Sequence, residues 1–240
     1  KEFLLSKGSE MSAIEAVIPK TAVDVFIYDT TKDSDGGAWR KRTQHTSWYN
    51  EKLNTSTRGS RKEFPAVAVI VLSANDITIY DADDPTLSMW MTIWRYANGA
   101  SSGTTTHWNG GGGILTSIFV LNGHIVLGGH SGGRGFFLIK DKMSVYYTPS
   151  SGLYTQAGGL DRRNDPYSAW VTADSNYRSI VNQQIHDVAM TVLPNAPIDA
   201  DTGLPVPTIA VATQAGVSVI KDDGSVRNLS GGVYGSVSAF

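Results

Sequence analysis

Cysteine is absent from all 240 residues, so neither a disulfide framework nor a thiolate metal site is open to this chain. Charge is sparse as well. Asp, Glu, Lys and Arg make up 18% of the residues, below the ~25% of an average globular chain, and the formal net charge is −2. That balance gives no global field for collecting nucleic acid or holding an anionic membrane surface. No apolar run approaches the ~20 residues a helix needs to cross a bilayer. Lys1-Glu2-Phe3-Leu4-Leu5 lacks the longer apolar core and small-residue cleavage site of a secretory signal, and a start on Lys1 rather than Met is expected of a processed or partial product. HExxH, GxSxG, the phosphate loop and the dinucleotide fingerprint are all missing. The five histidines (His45, His107, His124, His130 and His186) show no metal-binding spacing. The expectation is a protein with no catalytic residues, no cofactor and no metal centre, acting as something other than an enzyme.

What the chain does have is glycine, 25 residues of it, and 41% hydrophobic residues arranged in short β-prone runs. Four runs end in Ile, then Tyr or Lys, then Asp: Phe26–Asp29, Thr78–Asp81, Leu138–Asp141 and Val219–Asp222. The last two copies agree further, since Gly135–Val145 and Gly216–Val226 share Gly, Ile, Lys, Asp, Ser and Val at the same offsets. A strand that stops at an acidic turn, repeated along the chain, predicts stacked β units that bury their faces against neighbours. The fold class expected is all-β, a β-propeller-like array of about four antiparallel units with long polar loops. A β-sandwich is the alternative.

The units end near Asp29, Asp81, Asp141 and Asp222, which gives an N-terminal segment 1–22, a repeat domain 23–230, and a further strand or blade beginning at 231–240. In the last unit, 187–193, 208–212, 217–221 and 225–229 read as four strands. In the third, Asn122-Gly123 is the best dipeptide for a type I′ hairpin, because both central residues need positive φ. Pro65–Val69 parallels Pro207–Val211. The first unit shows only Val23–Tyr28 and Trp39–Gln44. The Asp spacings exceed the ~40–50 residues of a bare blade, so the excess falls in loops at 46–62, 97–113 and 149–184, with room for a short helix within 169–180. The ends do not close on one another, which points to a segment of a longer polypeptide.

Four groups of residues are candidates for chemistry. Asp33-Ser34-Asp35-Gly36-Gly37-Ala38-Trp39 places two carboxylates before a sharp turn, as half a calcium loop does, so Asp33 and Asp35 are the metal candidates. The same run resembles the Asp box of sialidase-type propellers, one residue short. That resemblance implies a structural turn between third and fourth strands with its Trp in the core. The basic residues Arg40, Lys41, Arg42, Arg58, Arg61 and Lys62 read better as solvated strand-edge residues than as a phosphate track. Trp48, Trp108 and Trp170 stand in predicted loops and are the candidate binding aromatics, beside the plainer reading that loop tryptophans fold back as lids. Trp90 and Trp94 share one strand face and read as packing. Asp161, Asp165 and Asp174 are the loop carboxylates that a glycosidase would need to pair.

The wording of several stretches is itself informative. Asp35–Asn50, Glu63–Ile70, Asp187–Asn195 and Pro205–Thr213 with the following Gly216–Asp222 resemble segments of large virion-associated proteins of tailed bacteriophages, marine ones especially. About half the chain carries the resemblance, and no catalytic motif does. It implies a tail or tail-fibre component located in the virion, with a propeller-like domain. Such a module would serve assembly or host-surface attachment. The partners it implies are other virion proteins, copies of itself or a host-surface glycan, with neither nucleic acid nor membrane insertion. A carbohydrate-active enzyme or lectin of sialidase-like architecture is the alternative.

Overall fold

β-branched and aromatic runs favour a pleated, half-buried surface, and the Gly, Asn and Asp between them favour reversal. The computed structural model describes residues 22–73, 76–94, 114–148, 152–156, 158–165, 170–174 and 179–230. These residues form three antiparallel sheets. The first contains β1 (Ala22–Asp29), β2 (Val67–Ser73), β3 (Asp76–Asp81) and β4 (Met89–Trp94). The second contains β5 (Leu115–Leu121), β6 (His124–Gly129), β7 (Gly133–Phe137), β8 (Lys142–Thr148), β9 (Gly152–Gln156) and β10 (Trp170–Asp174). The third contains β11 (Ile185–Thr191), β12 (Thr208–Thr213), β13 (Gly216–Ile220) and β14 (Val226–Leu229). Each sheet is a meander, with sequence neighbours paired throughout. Helix among the described residues is confined to α1 (Ser47–Asn50) and to 3-10 turns at Thr30–Lys32, Ala38–Arg42 and Leu160–Arg162.

Several sequence expectations change. The described residues hold three sheets rather than four units. Asp29 closes a first strand and Asp81 a third strand of the same sheet, so these two copies are not equivalent. Asp81, Asp141 and Asp222 do share a position, at or after the third strand of each sheet. Ala38–Arg42 is a 3-10 turn rather than a strand. The interval read as loop or short helix carries β9 and β10, which extend the second sheet to six strands. Other expectations hold. Pro65–Val69 and Pro207–Val211 both lead into second strands. Asn122 and Gly123 have φ of 53° and 67° and join β5 to β6 as a tight hairpin.

The repeat shows itself most clearly in the first strands. Each has a register irregularity near its start, between Ala22 and Asp24, between Leu115 and Ser117, and between Ile185 and Asp187. A residue that bulges out of the ladder leaves an N–H to be satisfied by other means. Asp24 Oδ1 accepts from Val25 N–H at 2.8 Å, and Asp187 Oδ1 accepts from Val188 N–H at 2.9 Å. The second sheet has Ser117 at that position, and Ile118 N–H instead donates to Asp24 Oδ2 of the preceding sheet at 3.1 Å. β5 also packs beside both β1 and β11. Phe26 and Phe119 meet with ring centroids 5.2 Å apart, and Thr116 Oγ1 donates to Ile185 O at 2.8 Å.

Two hydrophobic seams result. Between the first and second sheets, and under the long excursion from Thr30 to Ala66, lies an aromatic core in which Trp39, Trp48, Phe64 and Trp90 are buried with Ile70, Ile79 and Ile139. Between the second and third sheets the filling is aliphatic: Val126, Ile185, Val188, Ile209, Val211 and Ile220. Here Gly128 allows close approach, since a Cβ on it would lie 2.6 Å from Ile185 Cγ2.

Candidate functional site

In the first seam the polar groups are turned inward and engaged. Tyr28 Oη donates to Asp33 Oδ2 at 2.5 Å, Trp39 Nε1 donates to the same oxygen at 2.7 Å, and Asn122 N–H donates to Asp33 Oδ1 at 2.7 Å. Gly123 N–H in turn donates to Tyr28 Oη at 2.8 Å. Burial, with the Asp33 charge beside it, pushes the Tyr28 hydroxyl well up, and burial likewise raises Asp33 against the pull of its three donors. Asp35 accepts from Gly37 N–H through Oδ1 and pairs with Arg42 at 2.9 Å through Oδ2. The two metal candidates are therefore spent on a structural turn. Among the described residues no group of three or more His, Asp or Glu side chains is placed to hold a metal ion. The run also departs from the position implied by the Asp-box resemblance, because it follows a first strand.

Two further clamps close the same seam. Ser47 N–H and Oγ donate to Asp141 at 2.7 and 2.8 Å, and Leu160 N–H donates to it at 2.8 Å. Glu51 lies between two buried arginines. Arg163 Nη1 donates to Oε2 at 2.8 Å, while Arg58 Nε stands 3.0 Å from Oε1 in an alignment that makes the contact ionic. Arg58 also donates to the carbonyls of Trp90 and Lys62 and stacks 4.2 Å over the Trp90 ring. Burial raises the Glu51 carboxyl and lowers the Arg58 guanidinium to about 10.

Trp48 is not a binding aromatic. Its ring is fully buried and its Nε1 donates to Leu138 O at 2.8 Å, the lid arrangement carried to completion. Trp108 lies outside the described residues. Trp170 begins β10, and its side chain is not among those described. The basic residues serve separate contacts: Arg40 with Phe64 O and Glu63, Arg61 with Asp81 and Asp83, and Arg58 in the clamp. Of the loop carboxylates, Asp165 pairs with Arg162 at 2.8 Å and Asp161 is exposed, while Asp174 sits on β10.

A hollow of about 360 Å³ lies where β1, β5 and β11 meet, and the second seam carries a cleft of about 330 Å³ beneath a strap. Its roof is the excursion between β11 and β12, which arches across the sheet ends rather than returning directly. Arg42 Nη2 donates to Thr202 O at 3.0 Å, Asn122 Nδ2 donates to Pro205 O at 3.1 Å, and the Lys140 ammonium pairs with the Asp199 carboxylate. Leu204 anchors this strap in the aromatic core. On the wall from the second sheet, His124 and its cross-strand neighbour Phe137 stack with centroids 3.9 Å apart and planes 18° from parallel. Burial, with Lys140 adding to it, holds the His124 imidazole neutral by lowering its pKa to about 3. Ser144 lies on the same wall, 5% exposed. Ile209 and Ile220 form the opposite wall, and Lys221 and Asp222 the rim. Burial pushes the Asp199 carboxyl up, but Lys140 outweighs it and holds the group below the ordinary carboxylate value.

The arrangement presents donors, acceptors and apolar surface together, which equips it to bind. Sequence reasoning had noted His124, Lys140 and Lys221 separately. Asp199 and Ser144 it did not single out, and the shared offsets of Ser144 and Ser225 in the repeat were the available signal. No family model and no curated protein matches the chain. Among solved structures, the extracellular domain of a putative hybrid two-component system from B. thetaiotaomicron is similar at 16% identity, over 71% of this chain and 21% of that one, with a TM-score of 0.26. The extracellular domain of a putative one-component system from the same organism is similar at 14% identity over 70% of this chain, with a TM-score of 0.26. The chain thus spans 21% of the length of each of these structures.

Proposed function

We propose that the three sheets are successive blades of a propeller-like arc, and that the chain is a structural and binding module of a phage tail or tail-fibre protein. On this reading it acts in virion assembly or host-surface attachment, by binding without turnover. The side-by-side placement of β1, β5 and β11 supports the arc, because a propeller keeps its first strands together at the axis. The observation that carries the functional reading is the use made of the interior polar groups. Asp33, Asp141, Glu51, Arg58 and Arg163 cross-link distant segments, as suits a rigid scaffold, and the open cleft lies at the neighbouring seam. Recognition is usually carried by loops on such a frame.

The test has two arms. The complete reading frame should stand among tail genes, and antiserum against the chain should label tails of the particles in immuno-electron microscopy. A frame with a secretion signal standing apart from any tail locus would overturn the reading. So would release of sugar by the purified chain from surface polysaccharides or sialosides.

A further inference from the structure

We propose that the cleft between the second and third sheets takes a neutral saccharide unit, with the Ser144 hydroxyl and the Lys140–Asp199 pair as its polar contacts. The inference rests on the attachment reading above and names the ligand class for it.

Size is the first ground. At about 330 Å³ the cleft stands at the lower end of the roughly 300–1,000 Å³ of small-molecule sites, which fits a sugar ring better than a large cofactor. The second ground is a hydroxyl. Ser144 lines the cleft, and its hydroxyl can both donate to and accept from a ligand seated there. The third ground is charge. The ammonium of Lys140 is paired with Asp199 and that of Lys221 with Asp223 at 3.6 Å, so an anionic ligand finds no unpaired cation in the cleft lining. What remains is a mixture of donors and acceptors beside the C–H surfaces of Phe137, Leu204, Pro205, Pro207, Ile209 and Ile220. A polyol ring has that same mixture of hydroxyls along its edge and C–H groups on its faces.

The Lys140–Asp199 pair joins the turn after β7 to the strap, and ligand hydroxyls can both donate to Asp199 and accept from Lys140.

The experiment titrates the 240-residue chain with neutral mono- and oligosaccharides and with a sialoside, read by ligand-observed NMR. Three variants are run beside it: Ser144→Ala, Lys140→Met and, on the far edge of the third sheet, Leu229→Ser. Weak binding of a neutral sugar should fall about fivefold in Ser144→Ala, the worth of one ordinary hydrogen bond, and more in Lys140→Met. Leu229→Ser should leave it unchanged. Circular dichroism confirms that each variant is folded, and a loss of fold in Lys140→Met leaves Ser144→Ala to decide. Neutral sugars bound equally by all variants would overturn the cleft assignment while leaving the attachment reading intact. Preference for the sialoside would overturn the ligand class. Absence of sugar binding, in a chain whose antiserum still labels tails, would overturn this inference alone. Absence of both would overturn the attachment reading with it.

Discussion

The two seams of this molecule join the same kind of surface, one meander sheet laid against the next, yet they are filled in opposite ways. Between the first and second sheets, Trp39, Trp48, Phe64 and Trp90 interlock and three polar clamps tie the excursion at residues 30–66 to residues 122, 141 and 163. Between the second and third sheets the buried residues are aliphatic with Phe119 and Phe137 packed beside them, Lys140 reaches Asp199 and Asp201 across the cleft, and space is left over. A large aromatic side chain buries 150–250 Å² and leaves little room to rearrange. Smaller aliphatic side chains, with the His124–Phe137 stack at the cleft, fill their seam less completely. The difference is between a seam cross-linked by three polar clamps and one that carries a cleft beneath a strap.

The largest test of that contrast is Trp48→Ala. It empties a fully buried indole and strands the Leu138 carbonyl, so it should cost about 3–5 kcal/mol in urea unfolding. A loss no greater than that from an aliphatic truncation at the second seam would mean the first seam is not the stiffer joint.

The next test is acidity. The His124 pKa is depressed in the fold to about 3 from an ordinary value of 6.5, so above that value the ring is neutral whether folded or not. As pH falls below 6.5 the unfolded chain takes up a proton that the folded chain refuses, and stability is lost at up to about 1.4 kcal/mol per pH unit until about pH 3. Asp33 and Glu51 in the first seam act in the opposite sense. Their folded values are raised, so their contribution is present below the unfolded value and lost as pH rises through the folded one. Acid should therefore weaken the second seam first. Urea curves between pH 6.5 and 5 should show the slope in the native chain and a flatter one in His124→Phe, and equal slopes would break the comparison.

Ile220→Ala should cost about 2 kcal/mol, the low end for such a truncation, because the adjoining cleft lets neighbours relax. Lys221→Ala should stay within about 0.5 kcal/mol. Equal costs would mean the register of β13 is misassigned. The smallest contrast lies in the first strands. Asp24→Ala removes an acceptor for two N–H groups on two sheets and should cost about 1–2 kcal/mol, whereas exposed Asp187 serves only its own strand and should cost about half as much.

Strand identity was largely legible, since period-2 apolar runs, Asn122-Gly123 and the Pro65 and Pro207 copies act locally. Burial of Ile79 and Ile220 followed from the same alternation, whereas Ile139 is buried in the turn after β7, beside buried Leu138. The count of sheets was not, because an acidic residue suits the end of any strand and made Asp29 look like Asp81. The true equivalence among the first strands rests on one bulge, whose trace in sequence is a single small polar residue, Asp24, Ser117 or Asp187. The site was least legible of all. Trp48 is taken out of solvent by a carbonyl 90 residues away, and the cleft exists only where a strap from the third sheet meets a turn of the second.

The clamps have a kinetic meaning. A meander pairs each strand with the one before it, so the sheets can zip from short loops at little entropic cost. The Asp33–Asn122, Ser47–Asp141 and Glu51–Arg163 contacts span 89, 94 and 112 residues, so loop-closure entropy should delay them until the sheets they join have formed. Contacts absent from the transition state leave the folding rate alone and set the rate of unfolding. On that order the aromatic seam should act as a lock on the native chain, with clamp substitutions speeding unfolding more than they slow folding.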